Sequence, residues 1–325
     1  MEYFLQLHGN LPLDAYPVLA ARAEELGFED VSLHDVLFRR PVWPVLCDMA
    51  RATSRVLVGP NVTHPYLSHP VQLAANLAHL DELSGGRAVL GLGRGSMYEM
   101  VGRTNPATLD GLREAVDVIR TLVEGGGGPY DGEVFQLRKD ARLHFGTGRR
   151  VPVYLGAMGP KGARLAGAHC DGLRAAAQWH PGYASLLKEH MEAGAKEAGR
   201  AADEVQFVAE NWTFVHPDRE LARREARSLL ATFLPHLGAP LAFHEVPESE
   251  IEAARAAKRD GATERLAEIS DRTLDLFMAA GDADDLRAGL DRLEAAGHTA
   301  VSFSGQLGPD TSLALEIIGE AIAAR

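Results

Sequence analysis

Eight short apolar runs alternate with helical segments along almost the whole chain, and that alternation limits the fold more than any single motif does. The runs are Tyr3–Leu7, Asp30–Leu33, a run opening at Val56–Val58, Ala88–Leu92, Val153–Leu155, Leu173–Ala176, Val205–Val215 and Ala300–Phe303. Most are too short for a helix and are bounded by glycine or polar residues, which reads as buried strand. Between them apolar residues recur at helical spacing, as in Leu13–Leu26, Val42–Ala52, His69–Leu83 and Thr108–Val123. Parallel strands need crossover connections, so the repeat predicts an α/β fold, a (β/α)8 TIM barrel forming one domain over residues 1–325.

Two segments depart from the repeat. Pro129–Phe145 reads as a hairpin insert near 129–146, with Asp131-Gly132 as its turn. Residues 233–265 read as an irregular insert with one charged helix, Ser249–Lys258. Arg265–Ala279 and Ala283–Ala295 read as helices.

Charge and composition exclude several classes of function. A net charge of -12 argues against nucleic acid, which asks for a basic face. No apolar run approaches the length that spans a bilayer, and Met1–Gly9 lacks the features of a signal peptide. Cys47 and Cys170 form neither a CxxC nor a disulfide framework, which fits a reducing cytoplasm. No two histidines fall three or four residues apart, so no metal site is expected.

Barrel enzymes place their chemistry at the C-terminal ends of the strands. Here those ends carry His8, His34 with Asp35, Asn61 to His64, Gly93 to Ser96, Gly156 to Lys161, Gln178 to His180, Glu210 with Asn211, and Ser304 to Gln306. Two of these segments suit an anion. Gly91-Leu92-Gly93-Arg94-Gly95-Ser96 follows a strand; glycines let backbone N–H groups approach a phosphate, and Arg94 can fork onto it. Gly156-Ala157-Met158-Gly159-Pro160-Lys161 opens a helix, whose first turn carries unpaired N–H groups, and Lys161 adds a charge. The plainer alternative for each is an ordinary turn with a solvated cation; for Arg94 that includes pairing with Glu99 or Glu210. Asp35 is a candidate acid/base or a capping carboxylate. His8 is a candidate pocket residue or a satisfied structural histidine. Glu210 lies inside an apolar strand, as an acid of raised pKa or, in the preferred reading, as partner of a basic barrel residue.

The same residues resemble a known family. Val56–Arg87, Asp81–Ser96, Pro152–Gly172 and the closing MAAGDADDLRAGLDRLEAAG and SFSGQLGPD segments are similar to the bacterial-luciferase-like flavin and deazaflavin oxidoreductases, within them the methylenetetrahydromethanopterin reductase type. The resemblance covers nearly the whole chain and implies a (deaza)flavin in the barrel mouth. Its phosphate would lie on Gly93, Arg94, Gly95, Ser96 and on Gly156, Ala157, Met158, Gly159, Pro160 and Lys161. Asn61, Val62 and Thr63 would back the ring, with a cis Asn61–Val62 peptide. It favours coenzyme F420, with hydride transfer to or from a small organic substrate. The alternatives are an FMN monooxygenase fed by a separate flavin reductase, and a barrel that binds flavin without turnover. Asp35 matches an acid that relatives follow with histidine; Val36 stands there instead. A homodimer is implied too, with Trp43, Leu46, Met49, Leu73, Leu77 and Leu80 as apolar positions available to the contact or, for most of them, to the core.

Overall fold

The computed structural model describes residues 1–325. In chain order the strands are β1 (Glu2–Leu7), β2 (Asp30–Leu33), β3 (Leu57–Pro60), β4 (Leu90–Leu92), β5 (Tyr130–Asp131), β6 (Gln136–Leu137), β7 (Val153–Gly156), β8 (Gly172–Ala176), β9 (Gln206–Val215), β10 (Met278–Gly281) and β11 (Ala300–Leu307). Parallel pairing runs β3-β2-β1-β11-β9-β8-β7-β4. Parallel bridges Val58–Ala88 and Thr63–Leu92 bring β3 against β4 and close the barrel.

Strand alternation sorts the side chains into two shells. Leu5, Leu7, Val31, Leu33, Val153, Leu155, Leu173, Val301 and Phe303 join the large buried cluster shared with the helices. The opposite set fills the barrel. Phe4, Val89, Tyr154, Val208 and Ala300 form a separate apolar cluster. Gln6, Asp30, Ser32, Arg174, Glu210, Ser302 and Ser304 share that alternation and are buried polar residues. A barrel interior is a packed core, so each of these needs a partner.

The eight expected runs are all strands, but β10 is an addition. Met278-Ala-Ala-Gly281 has a helical composition, and the helix that precedes it stops at Phe277. Pairing with Trp212–Val215 of β9, beyond the last residue of β9 that β8 reaches, overrides local propensity. In the hairpin, Asp131 pairs with Gln136 rather than turning. The turn is Gly132–Phe135, because the buried Glu114 carboxylate accepts the N–H groups of Glu133, Val134 and Phe135, each at 2.9 Å. The segment after Phe233 carries helices Ala239–Phe243 and Glu248–Arg259 between two 3-10 turns, Leu234–His236 and Thr263–Glu268. It packs Leu234, Leu237, Ala254 and Ile269 with Leu230, Leu274 and Phe277. Leu46, Met49, Leu73, Leu77 and Leu80 are fully buried in the core, so of the apolar positions considered for a dimer contact only Trp43 retains exposure.

Candidate functional site

At the end of β3 the chain makes a bulge, and the Asn61–Val62 peptide is cis. Val62 packs between the ends of β4 and β7. A Cβ on Gly93 or on Gly156 would lie 2.6 Å from a Val62 methyl, closer than any real contact. Gly91 is equally committed, since a Cβ there would meet the Pro60 carbonyl at 2.7 Å. Thr63 N–H donates to the Gly91 carbonyl at 2.9 Å, and Gly93 N–H donates to the Thr63 carbonyl at 2.8 Å. The glycine spacing therefore serves the bulge first. Gly93 has no N–H to offer an anion, a correction to the sequence reading.

The anion-type groups lie just beyond. Arg94 is exposed and takes part in no ion pair; neither Glu99 nor Glu210 engages it. The N–H groups of Arg94, Gly95 and Ser96 have no backbone partner. Across Val62, Gly159 precedes the helix Pro160–His169, whose start no side chain caps. The N–H groups of Met158 and Gly159 are also free, Lys161 is exposed and unpaired, and Tyr183 donates to the Met158 carbonyl at 3.1 Å, pinning the loop. Two clusters of unpartnered donors, each with a free cation, thus flank one apolar seat.

Below the bulge a buried polar chain holds it. Gln6 Nε2 donates to the Asn61 carbonyl, and Asn61 Nδ2 donates to Glu210 Oε2 at 2.5 Å. By register Glu210 is level with Ala176, the last residue of β8, so it sits inside the barrel although β9 runs on to Val215. The expected pairing of Glu210 with a basic residue is not formed. Arg174 instead donates to Asp30 Oδ2 at 2.7 Å, with the Phe4 and Tyr154 rings 5.2 and 5.1 Å from its guanidinium carbon. Burial pushes the Glu210 carboxyl up, and the Arg174 charge and the Asn61 hydrogen bond only partly oppose it. Sequence reading missed Arg174 and Gln6. The signal was a lone arginine and a lone glutamine at inward positions of apolar strands.

On the other side of the mouth, Thr63 Oγ1 donates to Asp35 Oδ2 at 2.5 Å, tying the loop after β2 to the bulge. His8 and His34 are held neutral: burial lowers both, Arg39 adds to the effect on each, and His34 is pushed down to about 4 with His8 beside it. His8 Nδ1 is sealed from solvent without a partner. His64 Nδ1 lies 2.9 Å from the Tyr98 hydroxyl, a pair that sequence reading had not assembled.

Comparison with known proteins gives the family of the chain. The family model for luciferase-like monooxygenases matches residues 5–300. This chain belongs to the luciferase-like monooxygenase family. It is 35% identical over 310 residues to a 5,10-methylenetetrahydromethanopterin reductase of Archaeoglobus fulgidus, covering 92% of each chain. The solved structure of a coenzyme F420-dependent tetrahydromethanopterin reductase from Methanopyrus kandleri superposes with a TM-score of 0.91 at 27% identity, over 99% of this chain and 98% of that one. An F420-dependent secondary alcohol dehydrogenase, solved with an F420–acetone adduct, superposes with a TM-score of 0.77 at 26% identity, over 100% and 99%.

Proposed function

We infer that this chain is an oxidoreductase that passes hydride between coenzyme F420 and a small organic substrate. The carrying observation is the pair of free donor clusters around Arg94 and around Gly159–Lys161, on either side of the Val62 seat. They suit a ring resting on Val62 with a phosphate tail reaching charged, uncapped backbone. The buried but unpartnered Asn61 Oδ1 and Gln178 Oε1 add polar atoms that a bound ring can satisfy. The deazaflavin rather than FMN is supported by the relatives, whose names specify methylenetetrahydromethanopterin reduction or F420.

Bound coenzyme supplies the hydride chemistry, and the protein supplies position and electrostatics. Arg94 and Lys161, with the N–H groups of Gly95, Ser96, Met158 and Gly159, hold the phosphate. Gln6 and Glu210 fix Asn61, and so the height of Val62 behind the ring. Asp35, anchored by Thr63, places a carboxylate at the rim. The cytoplasm is the compartment proposed for this activity; no helix is long and apolar enough to cross a membrane. A homodimer is the assembly proposed, with light scattering as its test; a monomer at micromolar concentration removes it.

Equilibrium titration with F420 and FMN, followed by fluorescence, tests the reading. Tighter F420 binding supports it. Tighter FMN binding with oxygen uptake from reduced FMN makes the chain a monooxygenase that depends on a separate reductase, and binding without turnover of any substrate makes it a carrier.

A further inference from the structure

We propose that His64 is the acid–base residue of this hydride transfer, exchanging through Nε2 the proton that the substrate heteroatom gains or loses, with Tyr98 and Asp35 as its positioning residues. The proposal rests on the F420 reading above. It begins from placement. His64 follows the Val62 seat by two residues, at the join between the bulge and the loop that carries Arg94. Its ring lies against Gly95, where φ is +71° and a Cβ would meet His64 Cγ at 2.7 Å. The imidazole therefore fills the space that the missing side chain leaves. Tyr98, 1% exposed, meets it edge to face with ring centroids 5.4 Å apart.

The two ring nitrogens are used differently. Nδ1 is taken by the Tyr98 hydroxyl. Nε2 has no protein partner and is not among the side-chain atoms sealed from solvent without one, although His64 as a whole is only 6% exposed. Tyr98 is suited to both states of the ring, because its hydroxyl also lies 3.3 Å from the Arg94 carbonyl. When His64 is an imidazolium, Nδ1–H donates to the Tyr98 oxygen and the Tyr98 proton turns to that carbonyl. When the Nε2 proton has left, His64 is neutral with its proton on Nδ1, which still donates to the Tyr98 oxygen while the Tyr98 proton stays on that carbonyl. Burial pushes the Tyr98 phenol up to about 12, so it remains a hydroxyl throughout. A proton can thus leave or join Nε2 without a hydrogen bond being lost.

The field at His64 also separates it from the other acid–base groups of the mouth. The titratable groups facing it are Tyr98 from the turn after β4 and Asp35 from the loop after β2. Burial lowers its pKa below the ordinary histidine value, and the Asp35 charge only partly opposes that. His8 and His34 face Arg39 and no carboxylate that opposes their burial. Glu210 lies behind the bulge, bound to Asn61. Val36 carries no proton at all.

The step balances for substrates with a carbon bonded to oxygen or nitrogen at the carbonyl, iminium or aminal level. In the reducing direction that carbon takes a hydride from the anionic reduced coenzyme. The C–O or C–N electron pair moves onto the heteroatom. That atom takes its proton from the His64 imidazolium, leaving neutral imidazole and oxidised coenzyme. The oxidising direction is the reverse, with His64 as base.

Two measurements test this on the full-length chain. The first follows histidine NMR signals of the F420-bound protein, with His64 assigned by its loss in His64→Gln. The His64 signal should shift when F420 is added, and its titration midpoint should fall in Asp35→Asn. A His64 signal indifferent to F420, or unmoved by Asp35→Asn, overturns the proposal. The second follows oxidation of reduced F420 by methylenetetrahydromethanopterin and by acetone. His64→Gln should slow hydride transfer by about 100-fold or more while F420 affinity stays within about threefold. The fall in wild-type rate as pH rises through the His64 pKa should disappear, and added imidazole should restore part of the rate to His64→Gly. A His64→Gln rate and pH profile like wild type overturns the proposal while leaving the F420 reading intact. If wild type oxidises with neither probe, the NMR result decides alone. If wild type binds no F420, the functional reading itself fails.

Discussion

Asn61 Nδ2 donates to Glu210 Oε2 at 2.5 Å, so a carboxyl inside the barrel is bonded to the residue that opens the bulge behind the site. Burial raises the Glu210 pKa above its ordinary value of 4.5. The sign follows from linkage. Above that ordinary value the unfolded chain releases this proton while the folded one retains it. The stability held by the neutral form is complete at pH below 4.5 and is lost as pH rises through the folded value. Glu210→Gln keeps a carbonyl oxygen for Asn61 and cannot ionise. Its melting temperature should match wild type near pH 4.5 and exceed it at pH 8. Glu210→Ala should cost about 1–3 kcal/mol by leaving the Asn61 amide unpaired. A wild-type melting curve that gains on Glu210→Gln with rising pH refutes the raised pKa.

Arg174 and Asp30 form a fully buried ion pair, 3% and 0% exposed. Removing one partner strands the other charge, which typically costs about 3–5 kcal/mol, whereas replacing both with apolar groups is often neutral. Arg174→Met should therefore fall in this range by urea denaturation. The Arg174→Met, Asp30→Leu double variant should recover most of the loss. Equal losses in the single and double variants would mean that Arg174 acts through stacking on Phe4 and Tyr154 instead.

How much of this was legible in the sequence varied with the physics. The strands were legible because burial on both faces leaves short apolar runs between turn residues, as at Val153–Gly156. β10 was not, because Met278-Ala-Ala-Gly281 becomes a strand only through β9. The loops bearing Arg94 and Lys161 were visible as glycine-spaced strand ends. Their division of labour was not, since the use of Gly93 depends on where Val62 lands from another strand. The Arg174–Asp30, Glu210–Asn61 and His64–Tyr98 pairs each join residues distant in sequence, and no local spacing encodes them.

The Val62 seat gives a steric prediction. Gly156→Ala puts a methyl where Val62 Cγ1 stands, 2.6 Å from the new carbon. Overpacking of this kind costs about 1–3 kcal/mol and shifts the neighbour. Gly156→Ala should lower both thermal stability and coenzyme affinity. Val62→Ala in the same chain should restore stability by vacating the space. Full affinity in Gly156→Ala would separate the seat from the cofactor site.

Arg94 gives the sharpest test of the coenzyme site, because the protein makes no use of it otherwise. It is exposed, its guanidinium has no partner, and its loop is held by other groups: Asn105 Nδ2 on the Gly95 carbonyl at 3.2 Å, and Tyr98 on the Arg94 carbonyl. Arg94→Ala should leave the melting temperature unchanged, since no fold contact is lost. If the side chain forks onto the phosphate, F420 affinity should fall by about one to two decades, the value of a charge-assisted hydrogen bond. Arg94→Lys should recover part of this, as a point charge without the planar fork. Binding should persist in both, because Lys161 and the free N–H groups of Gly95, Ser96, Met158 and Gly159 remain. The loss should also shrink as salt rises, since an exposed cation is screened. Unaltered F420 affinity in Arg94→Ala at low salt would take the phosphate away from this loop and leave the helix start at Pro160 as its only anchor.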